Sequence, residues 1–141
     1  MGSVKGNLEN SFEIMQTVQN KAIKWLTTFK SDTLEDLLRT CEVWGKSKNE
    51  EWRFLLDFLE IWFRDLTWIH FGLPENKLLT RDYTLNVDSL RELKQCGNHF
   101  TLHQIFEIFR KIKESRAAID LNANKSLAIE SLCLHIYRNA T

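Results

Sequence analysis

Cys96, His99 and His103 stand at spacings that metal ligands sometimes use, since thiolate and imidazole are the usual donors to zinc. A fourth ligand is not evident, and the first two residues flank a turn while His103 belongs to the following helical pattern. The spacing therefore predicts a small core thiol beside two surface imidazoles, with no metal and no other cofactor. Gly45-Lys46-Ser47 has the ending of a phosphate-binding loop. The full motif needs a glycine five residues earlier, where Thr40 stands, and a preceding strand, where the pattern is helical. Without both, backbone amides cannot wrap a triphosphate. His70 and His135 are single histidines on helical stretches, and no serine, cysteine or threonine sits in a nucleophile motif. The chain as given reads as a non-enzyme.

Two further groups carry charge. Arg110, Lys111, Lys113 and Arg116 are the densest basic run, but Glu107 and Glu114 lie among them at helical pair spacings. That predicts a solvated ion-pair face rather than a nucleic-acid surface, which needs an excess of positive charge. Asp65 is the more informative residue. It falls inside the apolar arc of the helix predicted from Trp52 to Phe71, WRFLLDFLEIWFRDLTWIHF. A carboxylate there costs several kcal/mol unless donors satisfy it. A structural tie is therefore expected in place of a catalytic acid, with Arg116 or the turn at Asn122–Asn124 as the nominated partner.

These groups must be positioned by helices. At roughly 100° per residue, the apolar side chains of the Trp52–Phe71 stretch cover about two-thirds of its circumference. Arg53, Asp57, Glu60, Arg64 and Thr67 form its polar strip, so the helix is expected to be central. Upstream, Asn7 offers an N-cap for a helical region through Phe29, with a break expected near residues 16–20. Asp32, with Glu35 three residues on, marks the start of a second helix that Gly45 ends. Residues 72–87 hold the only proline and are left as loop with a little extended structure. Asp88 is expected to cap a short helix that stops near Gly97, and Thr101 a longer one. Asn122 suits a left-handed helix end, and Asn124 suits the cap of the last helix. With no confident strand or repeat, the expected fold is an all-α bundle of about six to seven helices.

Bulk properties agree with one domain. The chain has 141 residues, 43% of them hydrophobic, including five tryptophans, and nineteen basic side chains balance nineteen acidic ones. Neutrality gives no reason to expect nucleic acid or an anionic membrane as the main partner. Cys41, Cys96 and Cys133 are an odd set without repeating spacing, as in cytosolic thiols. No signal-peptide pattern and no membrane-length apolar run is present, so a cytoplasmic protein is expected.

Two segments together resemble a known family. EIWFRDLTWIHFG and RAAIDLNANKSLAIESLCL are similar to the C-terminal collar domain of the delta prime subunit of bacterial DNA polymerase III clamp loaders. Trp62, Arg64, Asp65, His70 and Gly72 match the first signature; Arg116, Asn122, Asn124, Leu127 and Glu130 match the second. Arg81-Asp82 also sits where the family often places such a pair, whereas Lys125 replaces a frequent proline and residues 74–80 match poorly. GNLENSFEI resembles the end of the helical lid that precedes the collar, with Glu9 where ATP-hydrolysing relatives carry arginine. The resemblance implies residues 1–15 as lid end or linker and residues 16–141 as collar. It implies an oligomerisation module whose partners are the motor (gamma/tau) and delta collars, without direct DNA contact from this domain. Trp62, Trp68 and Leu127 are the candidates for the subunit contact. From the residues alone, an independent helical regulator that binds nucleic acid or a small ligand is the competing reading.

Overall fold

A computed structural model describes residues 4–31, 33–46, 50–72 and 89–141, with side chains from residue 11 onward and without those of residues 89 and 90. It is all-α: α1 (Val4–Thr28), α2 (Leu34–Gly45), α3 (Glu51–His70), α4 (Ser89–Gly97), α5 (Leu102–Asp120) and α6 (Lys125–Asn139). The loop assigned to residues 72–87 lies outside the described residues apart from Gly72, as do the Arg81-Asp82 match and the Asp88 cap. Among the described residues no helix is long and apolar enough to cross a membrane.

α3 is the central helix, packed against α1, α2, α4 and α5. Its apolar arc supplies Leu55, Leu56, Phe58, Leu59, Trp62, Phe63 and Leu66, all with almost no exposure. α3 ends as its sequence dictates: the Phe71 amide reaches back to Thr67, and Gly72 follows with φ +75°, a left-handed conformation open to glycine. The most extensive contact between two helices is that of α2 with α6. They run antiparallel, with Gly45 at the end of α2 against Ser126 at the start of α6. Phe29, at the end of α1, gathers three rings from two other places. Its centroid lies 6.2 Å from His99, 6.4 Å from Phe100 and 6.0 Å from Tyr137. These distances suit edge and offset packing.

Two sequence expectations at helix starts are corrected. α1 begins at Val4 and runs through residues 16–20 without a break, so Asn7 lies within a helix rather than capping one. Thr17 and Asn20 are exposed while Val18, Ala22 and Ile23, with Gln19 beside them, are buried, which lets one helix span both stretches. α2 is capped by Thr33, whose Oγ1 accepts from the Asp36 amide at 3.1 Å. Hydroxyl and carboxylate residues serve equally as N-caps, so adjacent Asp32 and Thr33 competed for one position that periodicity could not resolve.

Two other caps follow the expectation. Thr101 and Gln104 form a reciprocal capping box, with 3.2 Å from the Gln104 amide to Thr101 Oγ1 and 2.8 Å from the Thr101 amide to Gln104 Oε1. Asn122 is left-handed at φ 65°, and Asn124 Oδ1 accepts from the Leu127 amide at 3.1 Å. Asn124→Ala is expected to lower the unfolding free energy by about 1 kcal/mol. A thermal melt identical to that of the parent chain would show that this cap contributes nothing.

Candidate interaction site

The residues singled out in the sequence are distributed over three helices and the turn between α5 and α6. Asp65 is fully buried on α3, and Arg64 Nη1 lies 3.4 Å from its Oδ1. The guanidinium of Arg64 also sits over the Trp68 ring, 5.3 Å from the centroid, in a cation–π contact. Arg64 is thus held at the surface between a buried carboxylate and a half-buried indole.

Arg116 does not reach Asp65 as nominated. Its Nη2 stands 2.9 Å from Asp57 Oδ1 and 3.2 Å from Glu60 Oε1, on the polar strip of α3. The contact is one of charge more than of aligned hydrogen bonding, since the short distances come without a suitable N–H direction. Partial burial works to lower the pKa of Arg116, but Glu60 and Asp57 outweigh it and hold the guanidinium above its ordinary range. The reason for the difference is rotational position. α5 meets α3 on the side where residues 57 and 60 emerge, and Asp65 points into the core. In the turn, the Asn122 amide bonds to the Ile119 carbonyl and Asn124 Oδ1 caps α6.

Trp62, expected at a subunit contact, has no exposed surface. Its ring packs at 5.7 Å on Phe58, and its Nε1–H donates to Cys96 Sγ at 3.4 Å. Trp62 is core, and that assignment is corrected: an apolar arc does not say whether its cover comes from the same chain. Trp68 is half-buried, and Leu127 is 63% exposed.

Leu127 borders a groove of about 310 Å³ on the α5–α6 hairpin, with Leu134, Lys111, Glu130, His135 and Arg138. Apolar and oppositely charged side chains alternate here. Burial, then Lys111, press the His135 imidazole below its ordinary pKa. Glu130 of the second signature therefore shares its surface with Leu127. Sequence matching had named both residues, but not Lys111, His135 or Arg138. Their helical spacing alone does not reveal which cations face the groove.

The metal-like spacing has another explanation in the structure. Cys96 is buried beneath Trp62, and His99 Nδ1 lies 2.9 Å from the Thr141 carbonyl oxygen. Among the described residues no group of three or more His, Cys, Asp or Glu side chains comes together as a metal site. The Gly45-Lys46 end of the loop-like triplet is a helix terminus, with the Lys46 amide bonded to the Glu42 carbonyl. On the basic run, Arg110 pairs with Glu107 and with Glu114, the latter at 3.0 Å. That is the ion-pair face the spacing predicts.

Burial pushes the Cys96 thiol up to about 12, from an ordinary 9.0, although the Trp62 donor works against it. Cys133, against Cys41 and wholly buried, is also raised well above that value. Because the folded state disfavours the Cys96 thiolate, its contribution to stability is complete below pH 9.0 and is lost as the pH rises toward about 12. All three cysteines are free and buried. A maleimide at neutral pH is expected to leave them unlabelled until urea unfolds the chain. Rapid labelling of the native protein would contradict that burial.

Comparison with protein-family models finds no match, and searches of curated proteins and of solved structures likewise return none.

Proposed function

We propose that this chain is a protein-interaction module, and specifically an oligomerisation domain of the clamp-loader collar type that its two signature segments resemble. The observation that carries the reading is the α5–α6 groove. There Leu127, 63% exposed, stands beside Lys111, Glu130 and Arg138 on a rigid helical hairpin. An apolar anchor rimmed by charges of both signs is the composition of a protein contact surface. The second signature is compatible with such a role, since Asn122 and Asn124 shape the hairpin turn and Arg116 ties the hairpin to α3. The collar assignment itself rests on the sequence resemblance, with motor and delta collars of a DNA polymerase III clamp loader as the partners.

Light scattering on a mixture of the chain with purified motor-subunit collars tests the reading. A defined complex at micromolar concentration is expected, and Leu127→Glu should weaken it at least about tenfold. The exposed position of Leu127 predicts no change in thermal midpoint for that variant. Failure of the parent chain to associate would overturn the collar assignment.

A further inference from the structure

The seam between α2 and α6 buries two thiols. Cys41 shares a face of α2 with Leu37 and Trp44, Cys133 shares one of α6 with Ile129 and Ile136, and neither side chain is exposed. The two meet side chain to side chain across the seam. Helix register brings them there. Gly45 stands against Ser126, where an added Cβ would lie 2.8 Å from the Ser126 Cα, and both cysteines follow within two turns of that contact. Backbones this near suit a disulfide, which spans Cα separations of about 4.4–6.8 Å. Cys96 is engaged elsewhere, with its Sγ on the Trp62 indole. Among the described residues no group of three or more His, Cys, Asp or Glu gathers as a metal site. Two thiols without further donors favour a sulfur–sulfur bond over a metal.

We propose that Cys41 and Cys133 are a modification site, a reversible disulfide pair that staples α6 to α2 when the seam opens in the presence of a small-molecule disulfide such as oxidised glutathione. In the closed seam the pair is inert. No oxidant reaches it, and the neighbouring Cys41, then burial, hold the Cys133 thiol well above the ordinary range for ionisation. Local opening frees one thiol, which loses its proton to solvent and attacks glutathione disulfide; a mixed disulfide forms and one glutathione thiolate leaves. As the helices reclose, the second cysteine, deprotonated in turn, attacks the protein sulfur of that mixed disulfide. The Cys41–Cys133 bond forms and the second glutathione leaves. Two protein thiols are oxidised, one glutathione disulfide is reduced to two thiols, and no other reactant is needed. The site is independent of the α5–α6 groove and of the collar reading.

Peptide mapping by mass spectrometry tests the site. The reduced full chain is held with millimolar oxidised glutathione at mildly alkaline pH, in urea below the unfolding transition, then denatured and quenched with N-ethylmaleimide. One intramolecular bond is expected, joining the Cys41 and Cys133 peptides, with maleimide on Cys96. In fully denaturing urea the three pairings compete and the bonds should scramble. Closing so long a loop should raise the urea midpoint of the bridged chain by about 1 M or more, and dithiothreitol should restore the original value. A bond to Cys96 from the folded chain, glutathione adducts that never resolve, or no oxidation at all would each overturn the proposal. So would a bridged chain whose midpoint is no higher than that of the reduced one.

Discussion

Trp62→Ala is expected to lower the unfolding free energy by about 3–5 kcal/mol, the largest effect of any single truncation proposed for this chain. Trp62 is wholly buried in the middle of α3, the helix on which α1, α2, α4 and α5 converge. Truncation removes its contact with Phe58 and its bond to Cys96, and leaves a void that packed neighbours fill only in part. Trp62→Phe separates the contributions. It retains much of the aromatic body, loses the Nε1 donor, and should cost about 1–2 kcal/mol. Cys96 Sγ is a weak acceptor, so leaving it unpartnered adds little. Equilibrium urea unfolding measures both variants. An alanine variant within 1 kcal/mol of the parent would mean that Trp62 is not buried in solution, and would return it to the list of surface contacts.

The second large effect is steric. A Cβ at Gly45 would stand 2.8 Å from both Cα and Oγ of Ser126 and 3.2 Å from its Cβ. Backbone on α6 cannot swing aside as a flexible side chain can, so α2 and α6 must separate. Alanine gains up to about 1 kcal/mol over glycine in a helix interior, but less at the last turn, where Gly45 stands. Overpacking of a tight contact costs about 1–3 kcal/mol, and the net effect of Gly45→Ala is therefore destabilising. Adding Ser126→Gly removes the Oγ and Cβ but leaves the Cα, so the double variant should recover part of the loss, with a coupling of about 0.5 kcal/mol or more. A Gly45→Ala variant as stable as the parent would show that the two helices sit further apart.

Local signals were the legible ones. Thr101, and Asn122 with Asn124, announce helix ends through hydrogen bonds that close within four residues, and these appear in the structure. The burial of Asp65 was readable because its angular position on α3 follows from 3.6-residue periodicity alone. What failed was long-range. The pairing of Arg116 depends on how α5 is rotated against α3, and periodicity within either helix does not fix that. Trp62 looked like surplus surface because an apolar arc covering most of a helix has no mark for where one cover ends. Gly45 read as a helix stop, and its closeness to Ser126 could be found only once α2 and α6 were in place. Of the α5–α6 groove, Leu127 and Glu130 were legible from the resemblance, and the surrounding cations were not.

The antiparallel seam of α2 and α6 also dictates a timetable. At the end of the seam opposite Gly45 and Ser126, Lys30 Nζ donates to the Ala140 carbonyl across 110 residues of sequence, at 3.1 Å. A ribosome adds about 5–20 residues each second, so roughly 5–20 s separate the synthesis of those two groups. During that interval α2, with Leu37, Cys41 and Trp44 on its buried face, exists without the helix it meets most extensively. The nascent chain must therefore carry an uncovered apolar strip until α6 clears the exit tunnel. This makes the unfinished polypeptide, rather than the completed bundle, the species most exposed to aggregation and to chaperone capture.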